Sequence, residues 1–326
     1  MSLRLSLALD AGGLRLPDGP VAVLHPAAEA DLSALPSDRL TIVQPFYPDY
    51  AVWQARGFSC APSLSGRFAS IVVFLPRAKA RARALLAAAV AATDGIVVVD
   101  GAKTDGVDSI LKDLRQRVTV SAPISKAHGK IFWFTSPADG FADWDARPGS
   151  VGEYVTAPGV FSADGIDPAS RLLAAVLPDD LGRTVADLGA GWGFLSAEVL
   201  RRPTVETLHV VEADHAALAC ARLNLPDPRA QFHWADARSW VSPEPVDSVV
   251  MNPPFHTSRS ADTALGQAFI AAAARMLAPS GTLWMVANRH LPYEAALRSA
   301  FREGDELAGD NRFKLFRAAR PSRPGR

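Results

Sequence analysis

The second half of the chain repeats one rhythm: a short apolar run, a break, then apolar residues at helical spacing. Residues 185–188 and 207–212 read as strands, and 193–202 and 215–223 as the helices that follow them. Further strands are predicted at 230–234, 246–251 and 282–287, the last preceded by a helix over 265–277 and the turn signal Pro279-Ser280-Gly281. Continuous apolar strands alternating with helices predict an α/β fold with a doubly wound, mostly parallel sheet.

The first half carries a shorter version of the same rhythm. Ser70-Ile-Val-Val-Phe-Leu-Pro76 lies over Ser248-Val-Val-Met-Asn-Pro-Pro254, Gly95-Ile-Val-Val-Val99 over Gly281-Thr-Leu-Trp-Met285, and Lys130-Ile-Phe132 over Lys314-Leu-Phe316. Blocks matched in one order predict two tandem copies of one fold; the competing explanation is that any two α/β units share apolar strands. The expected division is residues 1–150 and 151–326. Where the second copy has Asn252-Pro253 the first has Phe74-Leu75, and its nearest approach to a glycine loop, Asp10-Ala-Gly-Gly13, lacks spaced glycines and a following helix. The first copy therefore reads as degenerate, without cofactor, kept for substrate binding or as a scaffold. Its basic run Arg77, Lys79, Arg81 and Arg83 has two readings, a phosphate patch or a solvated helix face.

A length of 326 residues suits two domains better than one core. Lys plus Arg and Asp plus Glu both number 34, so no global attraction to a polyanion operates and any such partner must meet a local patch. Cys60 and Cys220 stand far apart with no CxxC partner, which excludes a disulfide framework and a cysteine zinc site and fits a reducing cytoplasm. The longest apolar stretch, residues 84–92, is far short of the ~20 residues that cross a membrane, and the N-terminal apolar stretch is broken by Asp10 without a signal-peptide pattern, so a soluble, non-exported protein is expected.

Candidate chemistry collects at the carboxyl ends of the predicted strands. Asp187-Leu-Gly189-Ala-Gly191-Trp-Gly193 lies where a strand gives way to a helix, and glycines there allow positive φ and close approach of backbone amides to a nucleotide-like ligand. Asp187 can accept hydrogen bonds from a cationic or hydroxylated group. Glu212 ends the next strand, where a carboxylate can hold both ribose hydroxyls, and Asp236 is placed either to meet an adenine amino group or to close a turn. These residues fit a dinucleotide or S-adenosylmethionine equally. Asn252-Pro253-Pro254-Phe255 decides between them: an exocyclic amine has a delocalised lone pair, and two fixed acceptors, the Asn252 side-chain oxygen and the Pro253 carbonyl, favour the geometry of attack. The tandem prolines stiffen the loop and Phe255 offers a stacking face.

With these motifs the second half resembles the class I methyltransferases that modify exocyclic amines and, more narrowly, the ribosomal RNA guanine-N2 methyltransferases of the small-subunit methyltransferase C type. The likeness runs from Pro158-Gly-Val-Phe-Ser162, Asp164-Gly-Ile-Asp167 and Ser170 to Ala287-Asn288, Leu291-Pro-Tyr293 and Arg312-Phe-Lys-Leu-Phe316. Gly106 to Ser109 and Lys126-Ala-His-Gly-Lys130 also look like family segments, and residues 1–65 match weakly. The resemblance implies two Rossmann-like methyltransferase domains. It implies that Asp187, Gly189, Gly191 and Glu212 hold S-adenosylmethionine, with Phe161 against its methionine portion, and that residues 252–255 hold a flipped guanine of ribosomal RNA. For His256, loop packing is preferred over a proton-acceptor role. The sequence departs from the family pattern at Pro168-Ala169, where Gly is common in the second place. No metal, membrane or strong general base is implied, and two fused copies in one chain suggest a monomer. Arg289, Arg298, Arg312, Lys314, Arg317, Arg320, Arg323 and Arg326 are candidates for phosphate contacts. The alternatives are a glutamine-amide protein methyltransferase and a silent RNA-binding assembly factor.

Overall fold

The computed structural model describes residues 3–10, 13–145, 147–254, 263–307 and 309–322. The chain divides into two compact units, residues 1–148 with 157–159, and residues 149–156 with 160–326.

In the first unit, α1 (Leu3–Asp10), β1 (Val21–Leu24), β2 (Leu40–Val43), α2 (Tyr47–Ala55), β3 (Ser59–Ala61), β4 (Phe68–Phe74), α3 (Lys79–Ala91), β5 (Thr93–Ala102), α4 (Val107–Leu114), β6 (Ile124–Lys126) and β7 (Gly129–Thr135) follow in sequence. Its sheet runs β3-β2-β1-β4-β5-β7-β6. The second unit opens with a hairpin, β8 (Gly149–Val151) and β9 (Tyr154–Thr156), and continues through α5 (Pro168–Val176), β10 (Thr184–Leu188), α6 (Phe194–Leu200), β11 (Thr207–Glu212), α7 (His215–Asn224) and β12 (Ala230–Trp234). It ends with β13 (Val246–Met251), α8 (Thr263–Met276), β14 (Leu277–Asn288), α9 (Glu294–Ala300), β15 (Phe301–Leu307) and β16 (Phe313–Pro321). Its sheet runs β12-β11-β10-β13-β14-β16-β15, the same order position by position. In each sheet five parallel strands are followed by one antiparallel partner, β7 or β16, which pairs antiparallel with the last strand as well.

The registers agree as closely as the orders. Leu24 pairs with Val73, Val73 with Val99, and Val99 with Phe132; Met251 pairs with Met285, and Met285 with Phe316. Val73, Val99 and Phe132 are the residues that the internal sequence match superimposes on Met251, Met285 and Phe316. Even an irregularity is duplicated. The ladder slips between Phe68 and Ser70 against β5, and between Val246 and Ser248 against β14. The turn signal at Pro279-Ser280-Gly281 is thus a bulge inside β14, which starts five residues earlier than the sequence predicts because 277 already pairs with Val246. Gly95 marks the same place in the first sheet, where a Cβ would lie 2.0 Å from the Ala69 carbonyl oxygen, so only glycine fits.

Parallel strands covered on both faces need apolar residues throughout, and β1 is buried at all four positions. Leu86, Ile110 and Leu114 cover one face of the first sheet, and Leu5 and Trp53 the other. In the second sheet, Phe269, Ile270 and Tyr293 pack on one side and Leu173, Val199 and Leu218 on the other. The carboxyl ends of β10, β11 and β13 are left to carry chemistry.

Candidate active site

The glycine loop follows β10. Gly189 donates its N–H to the Val211 carbonyl at 2.9 Å, and Gly189, Gly191 and Gly193 all have positive φ (76°, 59° and 96°). Gly193 caps α6, so the helix starts at Phe194; a Cβ there would come within 3.0 Å of Leu225 Cδ1. At Gly191 a Cβ would meet nothing within 4 Å, so the space above the loop is open for a ligand.

Two carboxylates flank this loop. Asp187 is fully buried; Ser196 Oγ donates to its Oδ2 at 2.7 Å, and its Oδ1 has no partner among the described residues. Burial, with a smaller push from the Glu212 charge, raises its carboxyl to about 7 despite the Ser196 hydrogen bond. Glu212 accepts from the Gly191 N–H through Oε2 and the Asp214 N–H through Oε1, both at 2.7 Å. Burial raises its carboxyl too, while these N–H donors pull it back. Each Glu212 oxygen keeps a second lone pair for a hydroxyl. An orphaned buried carboxylate oxygen, an open glycine loop and a carboxylate at the next strand end fit a cationic nucleoside such as S-adenosylmethionine.

Asn252 follows β13 and lines one cleft with Phe161, Gly189 and Gly191. Asn252 Nδ2 donates to Asp167 Oδ1 and to Ser170 Oγ, each at 2.8 Å, and its Oδ1 is buried with no partner among the described residues. Pro253 is buried and Pro254 exposed. Phe255 and His256 lie outside the described residues. Phe161 is 62% exposed, and its carbonyl accepts from Trp192 Nε1 at 3.0 Å, which ties this segment to the glycine loop. Asn224, at the end of α7, accepts from the Val155 N–H and donates to the Val155 and Trp192 carbonyls, so the β8–β9 hairpin is fastened to the same loop.

The structure bears on three further expectations. The Asp236 carboxylate forms an ion pair with Arg238 at 2.6 Å and accepts the Arg238 N–H, the contacts of a turn carboxylate. Among the predicted phosphate contacts, Lys314 is buried against Glu294, and Arg289, Arg317 and Arg320 pair with Glu306, Asp305 and Glu303, so these cations brace the β14–β16 surface. In the basic run, Lys79 and Arg83 both turn to Asp113 of α4, at 2.9 and 2.7 Å, which favours a helix face. Pro168 at the first turn of α5 suits its fixed φ, and Ala169 is buried, so the departure from Gly is absorbed by the helix.

The equivalent end of the first sheet carries different residues. By register Val23 stands for Asp187, His25 for Gly189, Gln44 for Glu212 and Phe74 for Asn252. The His25 N–H donates to the Val43 carbonyl at 2.8 Å and His25 keeps a positive φ of 56°, so the turn survives without its glycine. Gln44 Oε1 still accepts from the residue two further on, Phe46, but its Nε2 donates to the Pro26 carbonyl, which also takes Trp53 Nε1. The amide of Gln44 and the indole of Trp53 thus converge on the Pro26 carbonyl. This loop, and not Asp10-Ala-Gly-Gly13 beside α1, is the counterpart of residues 189–191.

A family model described as the methyltransferase small domain matches residues 152–317. The ribosomal RNA small subunit methyltransferase C of Shewanella sp. (strain MR-4) is 30% identical over 264 residues, 77% of this chain and 77% of that protein. This chain belongs to the small-subunit methyltransferase C family. The ribosomal RNA large subunit methyltransferase G of Streptomyces avermitilis is 33% identical over 245 residues, 70% of this chain and 64% of that protein. Among solved structures, the T. thermophilus 16S rRNA N2-guanine methyltransferase, in complex with AdoMet and guanosine, matches with a TM-score of 0.80 at 24% identity over 97% of this chain and 91% of that one. The two-copy fold is therefore common to that methyltransferase and this chain. The cleft residues that the sequence alone did not single out for a role include Asp167, Ser170 and Trp192, with Asn224 bracing the loop from α7. Asp167 and Ser170 stand inside a family segment, the one signal that pointed at them.

Proposed function

We propose that this protein transfers a methyl group from S-adenosylmethionine to the exocyclic N2 amine of a guanine in small-subunit ribosomal RNA, working as a monomer in the cytoplasm. The observation that carries this reading is the buried oxygen of Asn252, without a partner among the described residues, in the same cleft as the glycine loop of a methyltransferase C family member. S-adenosylmethionine, when bound, supplies an electrophilic methyl group on a sulfonium centre. Glu212 holds the ribose hydroxyls on the lone pairs left by its two backbone donors, and the amides of residues 189–191 approach the cofactor closely because no side chain intervenes. Asp187 Oδ1 offers a negative partner to the cationic end. Asn252 Oδ1 and the Pro253 carbonyl accept from the guanine amine, and Phe161 and Phe255 supply apolar faces. The amine's proton leaves to water, so no strong base is required of the chain.

The first unit acts as scaffold and RNA-binding surface and takes no cofactor, a reading supported by Val23 and Gln44 standing where the second copy has Asp187 and Glu212. The likeness to the large subunit methyltransferase G favours a second reading in which the guanine belongs to the large subunit. The test is transfer of labelled methyl to unmodified small and large subunits, with nucleoside analysis. N2-methylguanosine in small-subunit RNA bears the proposal out; label confined to large-subunit RNA selects the second reading, and label in protein discards both.

A further inference from the structure

Asn252 bears two amide hydrogens, and both are engaged, one by Asp167 Oδ1 and one by Ser170 Oγ, each at 2.8 Å. Asp167 fixes which end of the amide it meets. Its Oδ1 also accepts the Ser170 N–H at 2.8 Å as the N-cap of α5, and an ionised carboxylate has no hydrogen to give, so only the Nδ2 end of Asn252 can face it. The oxygen must then face the other way, and it is buried without a partner among the described residues. Left to itself a side-chain amide presents oxygen or nitrogen after a half-turn of one torsion.

From this geometry we infer that Asp167 and Ser170 are positioning residues that hold the Asn252 amide with its oxygen toward the substrate. The site thereby accepts N–H donors and rejects carbonyl acceptors. The inference rests on the reading that Asn252 meets the amine to be methylated. A flipped amide would present hydrogens to hydrogens and repel the amine. The Asp167 charge adds to the effect: a carboxylate accepting from the amide N–H draws electron density toward the amide oxygen, which strengthens it as an acceptor. Asp167 lies beside no reacting atom in this scheme; it acts through Asn252.

The decisive substitution is Asp167→Asn. Asn caps a helix as well as Asp does, so α5 is kept, but an amide at 167 can donate as well as accept and no longer dictates the polarity of Asn252. Cofactor affinity and KM for RNA are expected to stay within about two-fold, while kcat falls by at least about ten-fold, the lower side of what a lost oriented hydrogen-bond group costs. Combining it with Asn252→Asp reverses the polarity of the pair: the amide at 167 donates to a carboxylate that still turns an acceptor toward the substrate. This double variant is expected to recover at least about ten-fold in kcat over Asp167→Asn alone. A role in capping alone predicts neither the loss nor the recovery. Ser170→Ala, which frees one amide hydrogen, gives a smaller fall in kcat with the same cofactor affinity.

Hydrogen exchange of the Asn252 side-chain amide, followed by NMR in cofactor-free protein, tests the geometry without any turnover. Both protons are expected to be protected in wild type and exposed in Asp167→Asn/Ser170→Ala. Free exchange in wild type, or unchanged kcat in Asp167→Asn, overturns the inference. If wild type makes no N2-methylguanosine, the functional reading fails by itself, and the exchange result still decides on Asp167 and Ser170.

Discussion

Replacing Asn252 by Ala removes one oriented oxygen and leaves the glycine loop and Glu212 in place. Cofactor binding measured by calorimetry is expected to be retained, while kcat falls by about 10²–10³, the cost of one preorganised hydrogen-bond group at a reacting centre. Asp187 makes a different prediction. With its carboxyl raised to about 7 by burial, the cofactor-free chain carries a mixture of protonated and ionised forms near neutrality. A cation binding beside it selects the ionised form, so S-adenosylmethionine should bind about ten-fold more tightly at pH 8 than at pH 6. Calorimetry of Asp187→Asn over the same range should show a much flatter profile. In the cofactor-free fold the sign is the opposite: an acid whose folded pKa is raised stabilises at low pH, and that contribution is lost as the pH rises through about 7.

At the scale of elements, the helix–helix contact on the sheet face beside the site depends on one missing side chain. Gly266 of α8 faces Tyr293, where an added Cβ would sit 2.2 Å from the phenol oxygen and 2.3 Å from Cζ, with Tyr293 fully buried. Gly266→Ala gains helix propensity but forces α8 and α9 apart, so a net loss of about 1–3 kcal/mol is expected, read as a lower Tm by circular dichroism. Elements were legible from sequence wherever one strand supplied enough apolar residues to stand alone. The strands 207–212, 230–234 and 246–251 were placed to the residue. By contrast β1 and β2 have four residues each and β3 three, and it is pairing across the sheet, rather than local pattern, that makes them strands. The bulge in β14 was hidden for the same reason, since Pro279-Ser280-Gly281 reads locally as a turn. The site divided likewise. Asp187, Gly191, Glu212 and Asn252 sit at the ends of legible elements. The bonds from Asn252 to Asp167 and Ser170 span 85 and 82 residues, and no spacing rule reaches so far. Of the two readings of Asp236, the turn is the one with a local signal, since Arg238, two residues on, meets its carboxylate.

For the whole molecule, two copies with one strand order raise the question of two ligands. The first copy has Val23 in place of Asp187 and Gln44 in place of Glu212, so titration with S-adenosylmethionine should saturate at one molecule per chain, and Glu212→Ala alone should weaken it strongly. A second equivalent would contradict the loss of the first copy's carboxylates. The shared register also bears on how the chain reaches its native state. Strands that pair at matching positions in two sheets can pair across them, β4 standing in for β13 or β7 for β16, and such exchanges are the natural misfolds of a duplicated chain. Synthesis separates the rivals in time: β7 is complete at Thr135 before β10 begins at Thr184, so the first sheet can close while the second does not yet exist. Refolding from denaturant presents both sets of strands at once, and cross-paired sheets then become the kinetic trap that order of emergence otherwise removes.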